Sequence, residues 1–166
     1  MAGQLLLLAF PLLMIYAAAM DMLTMRIANA VSIAIVVAFV VAGLLAGAPL
    51  QSMLVHLGVG IAVLVGAMVL FQFRFIGGGD AKLMAAASLW VGYQQLVPFL
   101  VWVTVFGGAL AVLMLAYRSA PASALPLPGW ALRLHKRGEG IPYGVAISAG
   151  ALTVYPMTTI PLLLGH

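Results

Sequence analysis

Hydrophobic residues along the chain fall into six runs, and short segments that contain the polar and charged residues separate them. Most runs are close to the roughly 20 residues that an α-helix needs to cross the hydrocarbon core of a bilayer. The alternation and hairpin turns typical of a β-barrel are missing. The pattern predicts an all-α, polytopic integral membrane protein with about six transmembrane helices, over about 4–20, 30–47, 53–73, 83–92, 98–117 and 143–164.

Composition supports the membrane environment. Of the 166 residues, 66% are apolar and only 6% are charged, and the mean hydropathy is +1.23. Soluble domains are about 45–50% apolar and about 25% charged, so a soluble globule and a disordered chain are both excluded. We expect one transmembrane domain over residues 1–166. The chain has no cysteine, which excludes disulfides, thiolate metal sites and a cysteine nucleophile.

The basic residues lie in alternate connections between the predicted spans. The connections at 48–52 and 92–97 carry no charge. The positive-inside rule then predicts that both termini lie outside and that the three charged connections lie in the cytoplasm, as in an inner-membrane protein. Membrane lipids are therefore expected partners, whereas nucleic acid is not, because no basic run has interleaved aromatic residues. The seven basic residues are Arg26, Arg74, Lys82, Arg118, Arg133, Lys136 and Arg137.

The N-terminal run also imitates a signal peptide, because residues 5–16 are followed by three alanines at 17–19. A signal peptide would have a positively charged segment before this run, and here no lysine or arginine precedes it. We expect an uncleaved first helix.

The chain contains three acidic residues, Asp21, Asp80 and Glu139. Asp21 directly follows the first run, and Asp80 ends a Phe-Ile-Gly-Gly-Gly-Asp sequence at the entrance to the fourth. The predicted topology puts both at the same membrane face. A simple interpretation is that they are solvated helix-end residues, with Asp80 capping the fourth helix. Three consecutive glycines, however, favour close backbone approach, which a cap does not need.

Two neighbouring aspartates can hydrolyse a peptide bond without a metal or a covalent intermediate, because they share one proton. Arg26 and Lys82 are close enough in sequence to modulate that proton, although both also fit the topological rule. The zinc motif HExxH and the serine motif GxSxG are absent, so no metal or cofactor is expected. The histidines are scattered; His56 is interpreted as a hydrogen-bonded helix residue and Glu139 as a solvated member of a basic loop.

Residues 77–83, Gly-Gly-Gly-Asp-Ala-Lys-Leu, resemble the GxGDxKL motif of the type IV prepilin peptidases, membrane aspartic proteases of the GxGD class. Residues 21–29 are similar to the first motif of that family, with Ala28 where proline is usual. Residues 141–146 are similar to the opening of its last helix. The resemblance implies that Asp21 and Asp80 are catalytic. It also implies that four residues support the motif: Gly77, Gly78, Gly79 and Lys82.

The resemblance further implies cleavage of prepilin leader peptides at the cytoplasmic face. The chain resembles the short form of the family found in tight-adherence (Flp) pilus systems. The longer enzymes carry a cysteine-bearing cytoplasmic segment and also methylate the new N-terminus, so N-methyltransferase activity is not expected here.

Other functions remain open from the sequence. A small transporter would place polar residues inside several spans, and these spans are almost wholly apolar. A non-catalytic pilus-assembly subunit would keep the acids for structure. A presenilin-like protease is expected to carry tyrosine at the position of Met20. The connection from Arg118 to Pro142 is expected to lie on the membrane surface through Trp130 and Leu132, either to capture substrate or only to set topology.

Overall fold

The structure is a computed structural model that describes residues 2–119, 128–135 and 140–158, with side chains from residue 8 onward. Those residues form helices and no strand, which confirms the predicted all-α class. In chain order, the helices are α1 (Ala2–Thr24), α2 (Asn29–Leu45), α3 (Leu50–Gln72), α4 (Gly78–Ser119), α5 (Gly129–His135) and α6 (Tyr143–Val154), followed by a 3-10 turn (Tyr155–Met157).

Helix α4 contains two of the predicted spans, joined at Gly92. This residue is non-helical, with φ 68° and ψ 176°, a conformation that glycine adopts without steric cost. Residues 78–91 and 93–119 correspond to the fourth and fifth predicted runs. The uncharged connection predicted over 92–97 is thus a break at one residue, because the helix resumes at Tyr93.

His56 of α3 packs against this break. A Cβ at Gly92 would lie 2.6 Å from Cε1 of the imidazole, so the glycine also allows the close approach. The buried Nδ1 of His56 lies 2.6 Å from the carbonyl oxygen of Leu89, in the turn that precedes the break. The ring stacks on Phe39. The prediction that His56 is a hydrogen-bonded helix residue is confirmed.

The first part of α4 forms the centre of the core, and residues 83–92 are all buried. The indole of Trp90 is fully buried and donates a hydrogen bond to the carbonyl oxygen of Ile35 at 3.0 Å. Phe10 stacks on the same indole at a centroid distance of 5.0 Å. Because Phe10, Met14 and Ala17 are completely buried, α1 is an integral part of this core.

The outer faces of the helices are apolar. Leu12, Leu44 and Leu115 are each more than 60% exposed, which would be costly in water and is favourable in lipid. Helices α3 and α4 are long and apolar enough to cross a membrane, and residues 8–24 and α2 form shorter apolar helices. These features are those of an integral membrane protein.

Several helix ends meet at one end of the molecule. Lys82 at the start of α4 donates a hydrogen bond to Oδ1 of Asn29 at the start of α2, at 2.9 Å. Arg118, near the end of α4, donates to the carbonyl oxygen of Gly140 just before α6 at 2.8 Å. The start of α6 in turn contacts Asp21 in α1 through Gly144. The two aspartates lie at this end.

The last predicted run extends to residue 164, whereas α6 ends at Val154. The chain then makes a 3-10 turn that contains Pro156, a residue that cannot donate the next helical hydrogen bond. Residues 159–166 lie outside the described part of the chain.

Candidate active site

Asp21 lies in the last turn of α1 and is only 5% exposed. Its Oδ2 accepts the backbone N–H of Gly144 at 2.7 Å. Gly144 is the second residue of α6, and the first N–H groups of a helix have no intrahelical partner and attract negative charge. The start of α6 therefore fixes the Asp21 side chain and stabilises its ionised form.

Asp80 occupies the first turn of α4, three residues after Gly77. Its Oδ2 accepts the backbone N–H of Gly77 at 3.3 Å, which is the acidic half of a capping box. The simple interpretation placed Asp80 at the N-cap itself, but α4 begins at Gly78, so Gly77 holds that position and Asp80 caps it from within the first turn. It is also half-buried, and its other oxygen has no hydrogen-bond partner among the described residues.

The two carboxyl groups line the same cavity, whose volume is about 960 Å³. The ends of α1 and α3, the start of α4 and the segment before α6 form its wall. The prediction that the fold brings Asp21 and Asp80 to one end of the molecule therefore agrees with the structure. The other lining residues are Met25, Phe71, Gln72, Arg74, Phe75, Ile76, Gly77, Gly140, Ile141 and Tyr143.

Ile27 is wedged between the elements that carry the two acids. A Cβ at Gly79 would lie 3.3 Å from Cβ of Ile27, and a Cβ at Gly144 would lie 2.8 Å from its Cδ1. A Cβ at position 144 would therefore displace a neighbouring side chain, whereas one at position 79 would require a shift of only a few tenths of an ångström. Gly77 has a different role, since a Cβ there would lie 2.9 Å from Oδ2 of Asp80. The glycine run packs the carboxyl-bearing turn against its neighbours.

Both acids lie outside the apolar segments predicted to cross the membrane, at the ends of their helices. Burial raises the pKa of Asp21 above its ordinary value, and the hydrogen bond from Gly144 opposes that rise. Burial, together with repulsion by the charge of Asp21, raises the pKa of Asp80 to about 6. Since Gly144 makes the shorter and more buried bond, the last proton to leave the two carboxyl groups is favoured on Asp80.

The two basic residues considered as modulators do not contact the acids. Lys82 is exposed and bonds to Asn29, so it joins α4 to α2 instead of pairing with Asp80. Arg26 is also exposed. Within the described ranges neither aspartate forms an ion pair. Glu139 lies outside the described residues.

Arg118 fixes the segment before α6, which forms part of the cavity wall. Its Nε donates to the carbonyl oxygen of Leu134 at 2.8 Å, and its Nη2 donates to that of Gly140 at 2.8 Å. Arg133 of α5 also donates to the carbonyl oxygen of Leu23 at 3.3 Å. The contacts of Arg118 join α5 and the segment before α6 to the end of α4, and that of Arg133 joins α5 to α1.

Sequence reasoning did not identify Gly144, Ile27 or Arg118 as site residues. The only signal for Gly144 was the Ile-Pro-Tyr-Gly-Val-Ala run, which predicted the start of a helix and not a contact with an acid. Ile27 lay within the segment similar to the first motif, where its packing role was not visible. Arg118 fitted the topological charge rule.

Of the comparisons with known proteins, the one with protein families gives a match. The sequence model of the type IV leader peptidase family matches residues 8–112, which is more than half of the chain and includes Asp21 and Asp80. No curated protein and no solved structure matches the chain. Helices α5 and α6 lie beyond the matched segment.

Proposed function

Because the chain belongs to the type IV leader peptidase family, we propose that it is an aspartic endopeptidase that removes the leader peptide of a prepilin. Asp21 and Asp80 are its catalytic pair. The observation that supports this best is that both carboxyl groups line one cavity, each held by a backbone N–H. A carboxyl group held in this way is preorganised for proton transfer.

In the proposed mechanism, the pair begins with one proton, on Asp80. Ionised Asp21 removes a proton from a water molecule, whose oxygen attacks the carbonyl carbon of the scissile bond. Asp80 gives its proton to the carbonyl oxygen. The product of this step is a neutral tetrahedral diol, and Asp21 is now the protonated member of the pair.

The diol then collapses and the pair returns to its first state. Asp80 takes a proton from one hydroxyl of the diol, which becomes the carboxylic acid carbonyl. Asp21 gives its proton to the peptide nitrogen as the carbon–nitrogen bond breaks. The products are a carboxylic acid on the leader and an amine on the mature chain, and no group outside the pair is consumed.

The membrane face of this reaction is also a proposal. Arg74 lines the cavity, and Arg118 contacts Gly140, which lines it too. Basic residues favour the cytoplasmic side of an inner membrane. We place the cavity at that face, where the basic leader of a membrane-inserted prepilin would be accessible.

Two finer features follow from the resemblance to the short tight-adherence (Flp) peptidases. The substrate is a Flp-type prepilin, and the enzyme cleaves without methylating the new N-terminus. The supporting observation is the absence of cysteine from the sequence, since the longer, methylating enzymes carry paired cysteines.

The test is cleavage of full-length prepilin by the purified protein in liposomes. The expected product is one mature chain cut at a single bond and carrying no added methyl group, as seen by mass spectrometry. Asp80→Asn should yield no product, and Glu139→Gln should match the wild type. A wild-type protein that inserts correctly but cleaves nothing would favour a non-catalytic pilus-assembly subunit.

A further inference from the structure

Three helices of this protein end with a residue in the left-handed backbone conformation. These residues are Met25 after α1 (φ 55°), Gly47 after α2 (φ 64°) and Arg74 after α3 (φ 61°). The left-handed region is unfavourable for any residue that has a Cβ, and glycine is the usual residue at this position. Two of the three ends therefore carry a residue that the backbone disfavours.

The hydrogen bonds show that the ends of α2 and α3 use one kind of left-handed turn and that the end of α1 uses a simpler variant of it. The N–H of Arg74 bonds to the carbonyl of Phe71, and the N–H of Phe75 to that of Leu70. The same two bonds follow α2, where the N–H of Gly47 bonds to the carbonyl of Leu44 and the N–H of Ala48 to that of Gly43. The N–H of Met25 makes the single bond of the simpler variant, to the carbonyl of Asp21. Glycine would complete each turn at lower cost.

The three helix ends differ in whether they line the cavity. Met25 and Arg74 both line the cavity that contains Asp21 and Asp80. The Cε of Met25 lies 3.4 Å from where a Cβ of Gly140 would be, and Gly140 also lines the cavity. Gly47 does not line this cavity, and a Cβ there would have no neighbour within 4 Å. Among the three ends, the two that lack glycine are thus the two that line the cavity of Asp21 and Asp80.

Arg74 also has an unused hydrogen-bonding group. Its side chain is exposed and forms no hydrogen bond or ion pair with any described residue, although its cavity holds two carboxyl groups. A guanidinium presents five donors in a planar fork that suits carboxylate and carbonyl oxygens. The side chain is available to a molecule that enters the cavity.

We infer that Met25 and Arg74 are substrate-contacting residues, and that the backbone strain is retained because their side chains bind the peptide. Arg74 donates hydrogen bonds to carbonyl or carboxylate oxygens of the peptide, and Met25 provides an apolar contact beside Asp21. This inference rests on the proposed peptidase function and deepens it. Strained residues of this kind occur preferentially at functional sites, where stability is exchanged for binding.

The first test measures stability. Met25→Gly and Arg74→Gly remove the strain, so each should raise the melting temperature by about 2–4 °C. Gly47→Ala is the matched control, because it introduces strain at the end that does not line the cavity. It should lower the melting temperature and leave the kinetics of cleavage unchanged.

The second test measures cleavage of prepilin in liposomes. Arg74→Gly and Arg74→Ala should raise KM about tenfold or more, as expected for a lost charged hydrogen bond, with a smaller change in kcat. Arg74→Ala should do so without the full gain in melting temperature, because alanine keeps a Cβ. Arg74→Lys should recover part of the affinity. Met25→Gly should also raise KM.

A purely topological role for Arg74 makes a different prediction. In that case the variants that insert in the correct orientation, as judged by protease accessibility, would cleave with wild-type KM. An active wild-type enzyme with glycine variants of unchanged KM would overturn the inference alone. A melting temperature that does not rise would overturn the strain argument. A wild-type protein that cleaves no prepilin would overturn the proposed function and this inference with it.

Discussion

The Oδ2 of Asp21 accepts the backbone N–H of Gly144 at 2.7 Å, across 123 residues of sequence and in a buried position. The bond joins the last turn of α1 to the first turn of α6. The family match ends at residue 112, so the structure adds a later helix to the candidate site. The orientation of one proposed catalytic carboxyl group therefore depends on a peptide group outside the matched segment.

Gly144→Ala should remove most of the activity. The added Cβ would lie 2.8 Å from both Oδ2 of Asp21 and Cδ1 of Ile27, so the carboxyl group must move. A misplacement of about 1 Å can cost about 100-fold in rate. Steady-state cleavage of prepilin measures the loss.

The matched control is Gly108→Ala, in α4, where a Cβ has no neighbour within 4 Å. It should cleave at the wild-type rate. If Gly144→Ala were as active as this control, Asp21 would not need the position that α6 gives it.

Cleavage should fall as the pH rises above about 6. The pKa of Asp80 is raised to about 6, so at higher pH the pair loses the proton that Asp80 must donate. The value of kcat/KM, which reports the free enzyme, should decline about tenfold per pH unit on that side. A profile that stays flat or rises between about pH 6 and pH 8 would contradict the assignment of the proton.

The same carboxyl group should reduce the stability of the fold at neutral pH. Its folded-state pKa of about 6 exceeds the unfolded value of about 3.9, so the stability present below pH 4 is lost as the pH rises through 6. Asp80→Asn should therefore raise the melting temperature at about pH 7.5, and less at about pH 5. An equal gain at both pH values would indicate a cause other than titration.

Arg118 should act as a positioning residue. Arg118→Met removes the hydrogen bonds to the carbonyl oxygens of Leu134 and Gly140, and a severalfold lower kcat/KM is expected. Arg118→Lys keeps the charge but offers a single donor nitrogen, so it should restore part of the loss. Ser119→Ala, at the neighbouring position, should be neutral. A wild-type rate for Arg118→Met would show that the segment before α6 keeps its position without these hydrogen bonds.

Hydrophobic pattern and charge predicted α1 to α3, the two parts of α4 and the start of α6, because apolar runs and the connections between them are local features of the sequence. They did not predict the short helix α5 or the end of α6 at Val154. They also identified Asp21 and Asp80, since acidic residues are rare in so apolar a chain. The break at Gly92 was expected as a longer connection. Its contact with His56 is a tertiary packing relationship that the sequence alone does not reveal.

The surroundings of the acids could not be predicted for the same reason. Ile27 contacts Gly79 and Gly144 only because three separate segments meet, and the Gly144 bond spans 123 residues. Backbone strain at Met25 and Arg74 was also invisible, because both residues are ordinary near the end of a helix. Those relationships exist only in the folded chain.

Asp21 and Asp80 are proposed to act as one catalytic unit. Groups that act as a unit are not additive, so removing one costs nearly as much as removing both. The most direct test measures single-turnover cleavage of prepilin in liposomes by Asp21→Asn, by Asp80→Asn and by the double variant, with insertion verified for each.

We predict that all three variants have the same residual rate, near that of liposomes without enzyme, and that Glu139→Gln remains active. Substantial cleavage by either single variant would contradict the account. So would a double variant whose increase in activation free energy equals the sum of the two single increases.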